Sequence, residues 1–167
     1  MQRHKVEHEI HCPPDRLWEL FFSNEFNIEM YEQGMGFPSC KVPVHQDDGE
    51  AIHRVMAMVP NVELPKPLAK VVGGRVGFEE IGDWVRGSDE YRWKIVLAAF
   101  GDKVRIEGTM RVLPHGEGHC MRKVEYEVEA KVFGIGGLIE KSASQNVLNG
   151  WHNSAKWINQ YLARNPA

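Results

Sequence analysis

Residues 119–162 read HCMRKVEYEVEAKVFGIGGLIEKSASQNVLNGWHNSAKWINQYL, and a change of period inside this stretch decides the fold. Val124, Tyr126, Val128 and Ala130 alternate with Lys123, Glu125, Glu127 and Glu129, the period of two that a strand with one wet face requires. Past Gly134-Ile135-Gly136-Gly137 the apolar side chains recur every three or four positions instead. Ile135, Leu138, Ile139, Ala143, Val147, Trp151, Ser154, Ile158 and Tyr161 or Leu162 mark one face of a long amphipathic helix, which Arg164 and Pro166 close. A last strand therefore hands over to one long C-terminal helix.

Upstream, the same alternation sets Tyr91, Trp93, Ile95 and Leu97, then Val104, Ile106, Met110 and Val112, on the inward side of two further strands. Arg92, Lys94, Arg105, Glu107 and Arg111 fall on the other side, so the back of the sheet is charged, with cross-strand ion pairs worth ~0.2–1 kcal/mol each. Strands are predicted over 37–45, 51–60, 76–86, 90–100, 103–113 and 119–132, punctuated by Asp47-Asp48-Gly49, Gly87-Ser88-Asp89, Gly101-Asp102 and residues 114–118. Turns this short make successive strands antiparallel. Pro60, Pro65 and Pro67 exclude a central strand from 61–74, which becomes a longer connection with a helical turn around 68–72.

At the other end, Val6, His8, Ile10 and Cys12 alternate with Lys5, Glu7, Glu9 and His11 as a first strand. Pro13-Pro14 then suits a helix start, with Leu17, Trp18, Leu20, Phe21 and Phe22 at helical spacing. Ser23-Asn24 breaks that helix, and a second short one carries Phe26, Ile28 and Tyr31 as far as Gly34 and Gly36. Seven strands, two small helices after the first and one long helix after the last exclude a parallel α/β fold. What remains is an α+β domain over 1–167, a curved seven-stranded antiparallel sheet packed around the long helix.

This order of elements resembles the helix-grip superfamily, which includes the START domains, the birch-pollen-allergen-like proteins and the bacterial polyketide cyclases. Within it the chain is similar to a bacterial family labelled domain of unknown function 2505, through residues 9–18, the connection Leu64-Pro65-Lys66-Pro67-Leu68, residues 79–84 and Gly134-Ile135-Gly136-Gly137-Leu138-Ile139-Glu140-Lys141. The resemblance implies a cavity between sheet and long helix, with a filled core as the alternative. Its candidate lining is Trp93, Ile95, Ile106, Met110 and Tyr126 from the best-phased strands, Met56, Met58, Phe78 and Trp84 from the others, and Ile139, Ala143, Asn146 and Ser154 from the helix. Aromatics and adaptable methionines opposite small helix residues suit an apolar ligand.

Two polar candidates belong to the same list. If Met56 and Met58 face inward, period two places Arg54 inside with them, and Glu80, in phase with Phe78 and Trp84, is the carboxylate to meet it. The opposite phase buries His53, Val55, Ala57 and Val59 and leaves Arg54 in water, and Val55 and Val59 tip the reading that way.

The chain has 167 residues, 43% hydrophobic and 26% charged, with a formal net charge of −3 that gives no global attraction to nucleic acid or anionic lipid. The first nine residues are charged, and no apolar run reaches signal-peptide or membrane-span length, so a cytoplasmic protein without integral membrane association is expected. Cys12, Cys40 and Cys120 are odd in number and widely spaced, which reads as buried free thiols. The eight histidines form no set with ligand spacing, the glycines before the long helix lack dinucleotide and Walker spacing, and no serine or cysteine sits in a nucleophile motif. No metal, cofactor or catalytic residue is assigned. The expected function is carriage or sensing of a hydrophobic small molecule or lipid. The alternatives are a cyclase- or hydrolase-like enzyme using Glu80, Asp83, His53 or Tyr126, and a protein-interaction module with a filled core.

Overall fold

The computed structural model describes residues 1–166. Seven strands make one antiparallel sheet in the order β1-β7-β6-β5-β4-β3-β2. They are β1 Gln2–Ile10, β2 Ser39–Asp47, β3 Ala51–Val59, β4 Phe78–Val85, β5 Glu90–Leu97, β6 Gly101–Pro114 and β7 Cys120–Ala130. From β2 to β7 every neighbour in the sheet is also a neighbour in sequence, joined by short turns except across the 60–77 connection between β3 and β4. β1 pairs instead with β7, from Gln2↔Val128 to Ile10↔Cys120, so β1 and β2 form the two edges. The helices α1 Pro14–Phe21 and α2 Asn24–Glu29, continued by a π-helical turn at Met30–Gly34, carry the chain from one edge to the other. α3 Lys66–Val72 lies in the proline-rich connection, and α4 Gly136–Arg164 follows the last strand. This is the helix-grip α+β fold expected from the sequence.

Local chemistry fixes the elements. Pro14 occupies the first turn of α1, where its missing N–H costs nothing. Ser23 caps α2 by accepting from the Phe26 N–H at 3.3 Å, and the buried amide of Asn27 donates to the Phe21 and Ser23 carbonyls, both at 2.7 Å. Pro43 falls where the β2–β3 register shifts between Lys41 and Val44, the irregular edge position a strand proline needs. On the outer face Glu107 stands directly opposite Glu127. Arg105 offsets that repulsion by pairing with Glu107 at 2.6 Å, with Glu129 at 3.0 Å and with Glu127. Cys12, Cys40 and Cys120 are buried and free.

The long helix meets the sheet differently along its length. Toward its C-terminus Ala155, Ile158 and Leu162 are buried, and Trp157 and Tyr161 close edge-on over Phe26 with ring centroids 5.3 and 4.9 Å away. Packing there is tight enough that a Cβ on Gly34 would stand 2.2 Å from the Trp157 indole. Ala143, Val147 and Trp151 lie on the same helix face but are only partly covered. The space they leave is the cavity.

Candidate functional site

A cavity of about 430 Å³ opens between the first half of α4, the inner face of β3 to β6 and the 60–77 connection. Its walls are predominantly apolar: Met58, Phe78, Ile95, Leu97 and Ile106 come from the sheet, Leu64, Leu68 and Val72 from the connection, and Ile139, Ala143 and Val147 from α4. Tyr31, Met35 and Phe37, on and just after the π-helical turn, close one side. Polar side chains also border it, Asn61, Glu63 and Arg75 from the connection and Asn149 and Asn153 from α4. Glu80 rises from β4, Tyr31 faces it from the π-helical turn, and Asn146, Ser142 and Ser154 project from α4.

Glu80 is 8% exposed, and the Tyr91 hydroxyl donates to its Oε2 at 3.3 Å. Burial raises its pKa, against the smaller opposing pull of Arg54 and of the Tyr91 hydrogen bond. The Tyr31 phenol is likewise driven upward by burial and then by the Glu80 carboxyl. The site therefore pairs a carboxyl that is reluctant to ionise with two phenols that stay protonated at neutral pH.

The structure overturns the phase that leaves Arg54 in water. Arg54, Met56 and Met58 are 1–3% exposed, all on the inner face. Arg54 nevertheless does not ion-pair with Glu80. Its Nη1 donates to the Phe21 carbonyl at 2.7 Å, and its guanidinium lies 5.1 Å from the centroids of both Phe21 and Phe22. That carbonyl belongs to the last residue of α1, where a cation meets the negative end of the helix dipole. Arg54 thus anchors α1 to the sheet, and its Nε and Nη2 remain buried without a partner.

Eight of the sequence candidates line the cavity: Met58, Phe78, Glu80, Ile95 and Ile106 come from the sheet, and Ile139, Ala143 and Asn146 face them from α4.

 These eight, Met58, Phe78, Glu80, Ile95, Ile106, Ile139, Ala143 and Asn146, make up much of its wall, and Ser154 from the helix joins them. The other six lie outside it. Arg54 serves α1, and Met56 packs with Cys40 and Met58 in a small separate cluster. Trp84 stacks on Trp18 at 4.8 Å and donates its indole N–H to the Ser88 carbonyl. Met110 is fully buried, Trp93 sits behind Trp151 at 5.7 Å, and Tyr126 donates its hydroxyl to the Ser144 carbonyl at 2.9 Å, tying α4 to β7. Two of the acid/base candidates are also displaced: His53 and Asp83 pair with each other at 2.7 Å on the outer face of the sheet.

Sequence reasoning passed over Arg122. It is 1% exposed on β7, donates from Nη2 to the Trp151 carbonyl at 2.7 Å and lies 4.8 Å from the Trp151 ring, whose other surroundings include the cavity. Burial brings its pKa down to about 10. Its phase was readable, because Lys123 and Glu125 point outward and Arg122 falls in step with Val124 and Tyr126. Tyr31, Leu64 and Leu68 were also missed as lining, since they lie on segments without strand or long-helix periodicity, and so was Phe37, which the sequence places at the start of a strand over 37–45 but which precedes β2 at Ser39–Asp47.

Comparisons with known proteins agree with this architecture. A norcoclaurine synthase from Thalictrum flavum, solved in complex with dopamine and hydroxybenzaldehyde, superposes with a TM-score of 0.68 at 14% identity, covering 99% of this chain and 88% of that one. The Zhui aromatase/cyclase from Streptomyces sp. R1128 gives 0.65 at 11% identity, with 96% of each chain covered. A START superfamily protein from Mycobacterium smegmatis gives 0.58 at 13% identity, covering 95% of this chain and 98% of that one. At such identities the likeness is one of fold. No curated protein matches the chain. The family described as protein of unknown function (DUF2505) matches residues 5–162, and the chain belongs to that family.

Proposed function

We propose that the protein binds a hydrophobic small molecule or lipid in the cavity between the sheet and α4, as a carrier or sensor. The observation that carries this reading is an apolar cavity of about 430 Å³ with a buried carboxyl at its wall, within the ~300–1,000 Å³ range of small-molecule sites. An unfilled space of that size forfeits packing contacts on every side chain that borders it, a cost that a filled-core interaction module has no reason to carry. Occurrence of the fold in a norcoclaurine synthase and an aromatase/cyclase supports a small-molecule ligand.

Glu80 and Tyr31 set the polar requirement. A mostly apolar ligand with one hydroxyl, carbonyl or amine placed against them keeps the Glu80 carboxyl hydrogen-bonded, while the rest of the molecule lies on Phe37, Phe78 and Leu97. Native mass spectrometry of freshly purified protein, followed by organic extraction, tests the reading. A stoichiometric small molecule supports it, and an apo mass that persists after incubation with a mixed lipid extract counts against it.

A second reading, an enzyme of the cyclase or hydrolase kind, is favoured by one specific feature. Glu80 is a carboxyl of raised pKa within the cavity, with the Tyr91 hydroxyl bonded to it, the arrangement general acid catalysis uses. A pH-dependent turnover abolished by Glu80→Gln, with ligand binding retained, separates this from the carrier reading.

A further inference from the structure

Phe133 is fully exposed, at 104%, on the loop between β7 and α4. The loop is ordered by backbone bonds on both sides: the Lys131 N–H donates to the Lys103 carbonyl at 2.8 Å and the Gly136 N–H to the Val132 carbonyl at 2.9 Å. Gly134, at φ 82°, turns the chain immediately after it. The phenyl ring is therefore held out into solvent by defined backbone. The first turns of α4 that follow contribute Ile139 and Ser142 to the cavity, and α3, across the opening, contributes Leu68 and Val72. On α3 a second apolar side chain, Val71, is 45% exposed.

The charge around this opening is opposite to that of the molecule. Segments 61–76, 98–103 and 131–137 hold five cationic side chains, Lys66, Lys70, Arg75, Lys103 and Lys131, and two anionic ones, Glu63 and Asp102, while the whole chain carries −3. All five cations are exposed, and none makes an ion pair among the described residues. A net-negative protein with a cationic rim is oriented rim-first by an anionic surface.

We propose that this end of the molecule docks on an anionic phospholipid bilayer, with Phe133 entering the headgroup region and the lysines of the rim over the phosphates. An aromatic side chain gains by burial at a membrane interface, and each nearby Lys or Arg adds attraction that salt weakens. The chain stays peripheral, since no helix among the described residues is long and apolar enough to cross a membrane. Docking does not depend on what the cavity holds.

Co-sedimentation of the full chain with phosphatidylcholine vesicles, with and without phosphatidylglycerol, tests the proposal. Binding is expected only with the anionic lipid, and it falls as salt rises. Phe133→Asp weakens it about tenfold or more, the scale of one buried phenyl group. The pair Lys70→Glu and Lys131→Glu removes the preference for anionic vesicles. Because Phe133 is fully exposed, Phe133→Asp leaves the urea unfolding curve in place, which separates loss of docking from loss of fold. The proposal is overturned if the wild-type chain stays in the supernatant with anionic vesicles at low salt, or if Phe133→Asp binds as well as wild type. A dimer in sedimentation equilibrium that Phe133→Asp dissociates, with no vesicle binding, assigns the face to a second copy and overturns it as well.

Discussion

Gly82→Ala tests the packing that holds the Glu80 carboxyl in place. Gly82 lies on β4 between Arg54 of β3 and Trp93 of β5, and the Tyr91 ring crosses directly over it. A Cβ there would stand 1.8 Å from the Tyr91 hydroxyl oxygen and 2.1 Å from Cζ. Tyr91 is 1% exposed and is hemmed in by Phe21 and Phe22, with ring centroids 4.8 and 5.9 Å away, so it has no free direction in which to retreat. Overpacking costs ~1–3 kcal/mol, and displacing the Tyr91 hydroxyl from Glu80, which leaves a buried polar group unsatisfied, about 1–3 kcal/mol. Alanine recovers ~0.5–1 kcal/mol of glycine's chain entropy in a strand. The net expectation is a destabilisation of about 3 kcal/mol, read as a lower urea midpoint at unchanged slope. In a Tyr91→Leu background the clash is absent, so a double-mutant cycle should return a coupling of about 2 kcal/mol or more. Additivity within ~0.5 kcal/mol, or a Gly82→Ala cost below ~1 kcal/mol, refutes the argument.

Three further outcomes follow from the same geometry. The raised pKa of Glu80 means that its protonated form contributes stability that is present below pH 4.5 and is lost as pH rises through the folded-state value; the stability of Glu80→Gln relative to wild type should climb with pH above 4.5, and parallel urea profiles would rule this out. His8, bonded to His152 at 2.8 Å and to Arg122 at 3.2 Å, is pushed down to about 4 by burial and then by Arg122 and His152. Its contribution is therefore complete above pH 6.5 and falls as pH drops from 6.5 toward 4, by about 1–2 kcal/mol after allowance for solvent screening at a half-buried site, and His8→Gln should flatten the profile over that window. Ala143→Trp places an indole in the cavity and should abolish the uptake of hydrophobic probes at little cost in stability, whereas unchanged uptake would place the ligand elsewhere.

The strand pattern of the last three strands was legible because each has one apolar and one charged face. β3 was not, and the reason is specific. Val55 is itself only 9% exposed on the outer face, where it pairs with Val44 of β2 and Ile81 of β4. These three side chains form a small apolar row on the back of the sheet, so β3 is covered on both sides at its centre and alternation loses its contrast. Glu80 was legible through its phase with Phe78 and Trp84. The connection and the π-helical turn, which supply Leu64, Leu68 and Tyr31, have no period to read, and their place in the cavity wall is set by long-range packing alone.

The two buried arginines explain why Glu80 is left facing the cavity. A guanidinium on the inner face of a sheet needs acceptors, and a carboxylate is the first partner sequence reasoning supplies. In this fold the acceptors are helix carbonyls instead: Phe21 at the end of α1 for Arg54, and Trp151 within α4 for Arg122. Each arginine thereby fastens a helix to the sheet, and the aromatic faces of Phe21, Phe22 and Trp151 cover the remaining cationic surface. With both cations engaged, Glu80 has no direct ionic partner. Its Oε2 accepts from Tyr91 and the carboxyl borders the cavity, where a ligand group that donates to it, or accepts from its protonated form, gains a hydrogen bond.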